Sequence, residues 1–209
     1  MEIMYSNRIY DFFDKKITCI YGDKLNLINL GYEFNGIIYD DEWTVKRFLN
    51  GYKIQMDDII FKLFGELEIS VGLLKRKIKE LSKGQFKLVL LVYSLINKRE
   101  VLIFDYFDKG LSFKYKKRII NYLKTKYDGK LVFISNDFVF LNMLSKNIII
   151  FKNNEIIFNG EFNKLYKSNL NLNYPHIIKF IKECNLKGAK LSYTIESHEL
   201  LKDIYRSVK

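Results

Sequence analysis

The sequence predicts an α/β fold built on a mainly parallel sheet with helices covering it. Short apolar runs alternate with longer amphipathic segments, the order expected when crossover helices join parallel strands. Four apolar residues ahead of Asp105 describe a buried strand that delivers a carboxylate at its C-terminal edge, where open α/β sheets place their ligands. At 209 residues, 48% of them hydrophobic, the chain is long enough to bury a sizeable core.

The elements follow in order. "KITCIY" (Lys16 to Tyr21) is the first core strand, and "VLIFDYF" (Val101 to Phe107), "LVFIS" (Leu131 to Ser135) and "NIIIF" (Asn147 to Phe151) are the others. "EIIFNG" (Glu155 to Gly160) pairs with the last of these across the turn-rich "KNN". Helices are expected at Ser82 to Asn97, Phe113 to Tyr127 and Phe138 to Leu144. The single proline, Pro175, suits the first turn of a helix running to about Cys184, which Lys187 and Gly188 close. A last helix covers Ser197 to Arg206. The expected organisation is a core over residues 1–165 and a helical C-terminal extension over 166–209.

The formal net charge of +11 points to an anionic partner such as nucleic acid, an acidic protein or a phospholipid surface. The charge is spread along the chain, however, and the runs "KRKIK" (Lys75 to Lys79) and "KYKKR" (Lys114 to Arg118) also suit the solvated faces of amphipathic helices. Cys19 and Cys184 are too few and too far apart for a disulfide framework or a structural zinc site, so a reducing, cytosolic setting is expected and no metal site is assigned. No apolar run approaches the roughly 18 residues that span a membrane, and the amino terminus lacks a basic segment followed by an apolar one. Any membrane association is expected to be peripheral.

The most informative stretch is "LSKGQ", Leu81 to Gln85. Ser82 followed three residues later by Gln85 matches a capping box. Capping does not account for Gly84, since glycine costs about 1 kcal/mol relative to alanine inside a helix. A glycine suits a place where something approaches the backbone closely, and a helix N-terminus attracts phosphate. Capping and phosphate binding are both open on local grounds.

Together, these motifs resemble the ATPase subunits of ABC transporters. "LSKGQ" (Ser82, Lys83, Gly84, Gln85) is similar to the LSGGQ signature, "VLIFD" to Walker B, "KGLS" to the D-loop, and "LVFISND" to the strand leading into the switch-histidine loop. "GYKIQMDD" resembles the Q-loop, with Gln55 in the glutamine position, and "ITCIYGDKLNLINL" stands where Walker A belongs. The segment "YPHIIKFIKECNLKGAKLSYTIESHELLKDI" resembles the C-terminal extension of the ATPases of energy-coupling factor (ECF) transporters. The resemblance implies the P-loop NTPase fold, here with a reduced helical subdomain over about residues 56–95 and only about 16 residues in place of the family's small antiparallel sheet and adenine-stacking aromatic. Tyr5 or Tyr10 would supply that aromatic, or simply pack. The 25 residues between Gln55 and Leu81 suffice for two short helices.

Departures from the pattern are concentrated in one half of the motif set. Walker A needs G-x-x-x-x-G-K-[ST] to cradle phosphates and magnesium. From Gly22 this chain places Leu27 at the second glycine, Ile28 at the lysine and Asn29 at the hydroxyl, with Lys24 nearby but in the loop and Asp23 repelling phosphate. The glutamate that polarises water is Tyr106, and the switch histidine is Asn136. Asp105 remains as a Walker B remnant, either for magnesium or as a backbone cap. The only histidines, His176 and His198, lie in the C-terminal extension. In ABC dimers one chain's signature completes its partner's ATP site. The resemblance therefore implies a catalytically degenerate subunit, binding no cofactor tightly by itself and sharing ATP and Mg with a conventional ABC ATPase. It further implies a transmembrane transporter partner sensed through Gln55 and a place on the inner face of the membrane, with no direct nucleic-acid binding. The alternative is a nonenzymatic scaffold of the same fold that binds nucleic acid or an acidic protein through its basic surface. An unconventional ATPase would need a replacement phosphate clamp, and none is visible.

Overall fold

Strand order in the main sheet is β4-β5-β3-β6-β7, with β3 at Ile17–Tyr21, β4 at Val101–Asp105, β5 at Lys130–Ser135, β6 at Asn147–Lys152 and β7 at Glu155–Glu161. The computed structural model describes residues 2–5, 8–11, 16–22, 39–51, 57–97, 101–153 and 155–207, the first two stretches as backbone only. The pairs β4–β5, β5–β3 and β3–β6 are parallel, and β7 closes the sheet antiparallel to β6. Parallel strands are covered on both faces, which is why "VLIF", "LVFI" and "NIII" are apolar throughout. One face supplies Leu102, Phe104, Leu131 and Phe133 to the main core, with the rings of Phe104 and Phe133 stacked at 4.5 Å. The other face gathers Ile20, Ile103, Val132 and Ile134 into a second cluster.

The helices are α1 (Val45–Asn50), α2 (Asp57–Glu66), α3 (Lys83–Ile96), α4 (Phe113–Lys126), α5 (Phe138–Leu144), α6 (Phe162–Lys167), α7 (His176–Leu186) and α8 (Ser197–Ser207). Caps set their starts: Ser112 accepts from Tyr115 N–H ahead of α4, and Asp137 from Val139 and Phe140 N–H ahead of α5. α3 is buried along much of its length because "FKLVLLVYSLI" is apolar on most sides. Tyr166, Tyr174, Ile178, Ile181, Leu191 and Leu200 from the C-terminal segment join the same core as the sheet and α3.

Five sequence expectations change. The strand at Val101 stops at Asp105 rather than Phe107, because Tyr106 turns to a positive φ of 45°. Between α2 and α3 the chain forms 3₁₀ segments at Val71–Lys75 and Ile78–Glu80 rather than a second short helix. "KRKIK" runs across these segments with Lys77 extended and bridged to Thr44, so its lysines are exposed but not arrayed on a helix face. A two-stranded antiparallel ribbon, β1 (Glu2–Tyr5) with β2 (Arg8–Asp11), precedes the core. Finally, Pro175 caps α7 from outside its first turn. Sequence reading missed α1, although Thr44 at its N-cap and Gly51, with φ 53°, at its end were signals for it. The side chains of Tyr5 and Tyr10 lie outside the described residues.

Candidate functional site

Register brings the C-terminal ends of three strands to one edge: Tyr21 of β3 pairs with Ser135 of β5, and Asp105 of β4 with Ile134. Gly22, Asp105, Tyr106 and Asn136 follow or end these strands, so they share the edge where open α/β sheets take ligands. The N-terminus of α3 comes to the turn that leaves β4.

The signature-like segment is a fully formed helix start. Ser82 Oγ accepts from Gln85 N–H at 3.2 Å, and Gln85 Oε1 accepts from Ser82 N–H at 3.0 Å. The first intrahelical bond runs from Phe86 N–H to Ser82 O, so the Lys83 and Gly84 amides precede it and are the orphan donors of this terminus. Ser82 and Lys83 are exposed. Gly84 is buried, and the structure supplies the reason that capping did not: a Cβ built there would lie 2.2 Å from the carbonyl oxygen of Gly110. What approaches this glycine is backbone of the D-loop-like "KGLS", itself turned by Gly110 at φ 83°. A cleft of about 490 Å³ opens beside this junction, bounded by Arg76, Ser82, Gln85, Leu111 and Tyr115.

The turn after β4 is the opposite case. Asp105 is exposed at the strand end. Tyr106, in the position of the family's glutamate, donates its hydroxyl to Gly22 O at 2.7 Å, and Lys109 Nζ sits 4.4 Å from its ring centre. The side chain thus crosses from the end of β4, past β5, to the end of β3. Gly22 itself is packed: a Cβ there would lie 2.7 Å from Phe151 O. Asn136 is exposed, one residue before the Asp137 cap of α5. Leu27, Ile28, Asn29 and Gln55, with Asp23 and Lys24, lie outside the described residues. His176 and His198 are on α7 and α8 and take no place on the edge.

Sequence reasoning missed three groups here. Lys87, from α3, donates to Tyr106 O at 2.5 Å and Lys109 O at 2.7 Å. Partial burial pulls its pKa below the usual lysine value, opposed by the nearby carboxylates of Asp108 and Asp105. Asp108 is buried and accepts from Ser135 Oγ at 2.8 Å, and the same hydroxyl accepts from Asp137 N–H at 3.0 Å. A lysine inside an apolar helix and an aspartate inside "FDKG" were the available signals.

Among the described residues no group of three or more His, Cys, Asp or Glu side chains is placed to hold a metal ion. At the described part of the edge, Asp105 is the carboxylate at the strand end and the Tyr106 phenol crosses to Gly22. At the α3 terminus the Lys83 and Gly84 amides precede the first intrahelical bond, beside the exposed Ser82 hydroxyl. Among the described residues no helix is long and apolar enough to cross a membrane.

No family model matches the chain. It is 29% identical over 158 residues to the energy-coupling factor transporter ATP-binding protein EcfA of Malacoplasma penetrans, covering 71% of this chain and 54% of that protein. It is 24% identical over 136 residues to the spermidine/putrescine import ATP-binding protein PotA of Legionella pneumophila, covering 64% and 36%, and 29% identical over 119 residues to PotA of Mannheimia succiniciproducens, covering 56% and 31%. The chain therefore spans between about a third and about half of the length of these curated relatives. Among solved structures it matches a dimeric bacterial ABC transporter cassette at TM-score 0.52 and 18% identity, over 61% of this chain and 59% of that one. It also matches a protein described as a cobalt transport ATP-binding protein at TM-score 0.55 and 14% identity, over 70% and 69%. The fold is that of the ABC ATPase cassettes, and the sequence is similar to transporter ATP-binding proteins.

Proposed function

We propose that this chain is a catalytically degenerate ABC-type ATPase subunit, which completes the ATP site of an active partner ATPase in an ECF-like or related ABC importer. One contrast supports the reading. The signature end is a capped helix terminus with Ser82 exposed, whereas the hydrolytic end carries Tyr106 bonded to Gly22 O in place of a carboxylate facing water. The Ser82 hydroxyl, the Gly84 N–H and the positive end of α3 face the γ-phosphate of ATP held by the partner, lowering the energy of charge that develops there. ATP and Mg belong to that shared site, with no nucleotide held tightly by this chain alone. Residues 1–165 form the cassette core and 166–209 its extension. Gln55 contacts a transmembrane subunit, and the complex lies on the inner face of the membrane without binding nucleic acid.

The test begins with the partner ATPase that co-purifies with the tagged chain from detergent-solubilised membranes. Ser82→Arg, which fills the phosphate position with a bulky side chain, is expected to abolish ATP turnover of the mixed dimer. Removing the cap costs only about 1 kcal/mol, so the variant stays folded by circular dichroism. Turnover equal to the wild-type mixture refutes the shared site.

A further inference from the structure

Lys87 sits five residues beyond Ser82 on α3, and its ammonium points into the turn that leaves β4. An ammonium has three N–H donors. Three carbonyls of one turn converge on this one: Tyr106 O at 2.5 Å, Lys109 O at 2.7 Å and, more weakly, Phe107 O at 3.4 Å. That turn requires holding. It contains a tyrosine at φ 45° and Gly110 at φ 83°, and a non-glycine residue in the left-handed region costs of order 1 kcal/mol or more unless its surroundings fix it. Converging carbonyls also repel one another unless a cation or donors lie between them.

The same turn is tied to three neighbouring segments. Its Gly110 carbonyl packs on Gly84, its Asp108 takes the Ser135 hydroxyl at the end of β5, and its Tyr106 hydroxyl reaches Gly22 at the end of β3. Asp108 and Asp105 offset the burial of the lysine charge. A solvated surface lysine keeps its rotamer freedom. Fixing this one, at an entropy cost of about 1.5–2 kcal/mol, has an evident return only in the position of the turn.

We propose that Lys87 is a positioning residue. It locks the turn of residues 106–110 onto the signature helix, so that Ser82, the Gly84 amide and the D-loop-like "KGLS" face a partner as one rigid unit with no nucleotide in this chain's own site. The ammonium neutralises and gathers the carbonyls of the turn. The anchoring itself stands on the chain alone, and its effect on turnover rests on the shared-site reading above.

The experiment compares the wild-type chain with Lys87→Met, which keeps the stem without the donors, and Lys87→Arg, which restores cationic donors. In the isolated chain, amide hydrogen exchange of residues 106–112 is expected to speed up about tenfold or more in Lys87→Met and to return toward wild type in Lys87→Arg, with α7 and α8 unchanged. Equal exchange in wild type and Lys87→Met overturns the anchor. If Lys87→Met does not fold, Lys87→Gln, which is uncharged, one atom shorter and brings an acceptor of its own, takes its place: faster exchange of residues 106–112 is expected, and exchange equal to wild type overturns the anchor. With the partner ATPase and saturating variant chain, kcat is expected to fall about tenfold while KM for ATP stays within about twofold, and arginine recovers most of the loss. Loss of affinity between chains alone, restored by excess variant, overturns the positioning role. A wild-type mixture with no turnover removes the shared-site reading, and the exchange measurement still decides the anchor.

Discussion

Replacing Gly84 by alanine sets two physical effects against each other, and the structure decides between them. Alanine is the better helix former by about 1 kcal/mol, so local propensity alone predicts stabilisation. The added Cβ, however, would meet Gly110 O at 2.2 Å and Gly110 C at 3.2 Å, and both are backbone. Ordinary contact requires the D-loop-like turn or the first turn of α3 to move by about 1 Å, and overpacking of this kind costs about 1–3 kcal/mol. The turn has little freedom to give, being held by Lys87, Asp108 and Tyr106. The net expectation is a loss of about 1–2 kcal/mol and a fall in melting temperature of about 2–8 °C for a chain of this size. Gly65→Ala is the control. Gly65 is an exposed residue of α2 with nothing within 4 Å of a built Cβ, so the same substitution there is expected to stabilise by about 0.5–1 kcal/mol. Urea and thermal melts of the two variants should move in opposite directions. A Gly84→Ala chain as stable as wild type, or more so, refutes the packing argument and returns that glycine to ligand approach alone.

Two further perturbations follow from buried polar groups. Ser135→Ala removes the hydroxyl that Asp108 accepts from and that Asp137 N–H donates to, leaving a carboxylate only 5% exposed without that donor; a loss of about 1–3 kcal/mol is expected in urea unfolding, and a loss within error refutes the network. Burial pushes the Cys19 thiol up from 9.0 to about 12. The folded chain therefore keeps this proton where the unfolded chain loses it, and the contribution is fully present below about pH 9 and lost as pH rises toward 12. Integrated across that window it amounts to at most about 4 kcal/mol. Buried Tyr166 and Tyr174, raised mainly by desolvation, act in the same direction, while Lys87, lowered by desolvation, makes stability rise with pH just below the ordinary lysine value. Cys19→Ala should accordingly flatten the alkaline decline relative to wild type in melts between pH 8 and 11, and parallel curves for the two chains refute the assignment.

What the sequence revealed was what is local. The capping box needs only Ser82 and Gln85, three residues apart, and the parallel strands need only continuous apolar runs, so both were legible. The α5 helix has the bounds expected, because Asp137 and the apolar "FVFLNML" define it within one turn. The reason for Gly84 was not legible, since it lies in a carbonyl 26 positions further along the chain, nor was Tyr106 to Gly22, 84 positions apart. "KRKIK" misled for a related reason: a lysine-rich run resembles a solvated helix face, but Lys77 is held extended by its bridge to Thr44, a partner the run does not reveal. Lys87 was missed because its three acceptors all lie on one distant turn.

The tyrosine at 106 acts as a donor in the fold. The group facing it across the edge is a carbonyl, Gly22 O, which can only accept. A carboxylate at that point would put acceptor against acceptor unless water or a cation intervened, whereas a phenol donates directly. Tyrosine therefore suits the carbonyl that it meets. At the start of α3 the cap, the packing of Gly84 on Gly110 and the Lys87 contacts are all made from within the chain. Stability of the turn and presentation of the helix terminus come from the same few contacts, Lys87 with its carbonyls and Gly84 against Gly110, and selection for folding alone would preserve both. Turnover in a mixed dimer is thus the property that separates a presented half-site from an inherited one, because a helix cap retained only for stability has no reason to match the γ-phosphate of another chain.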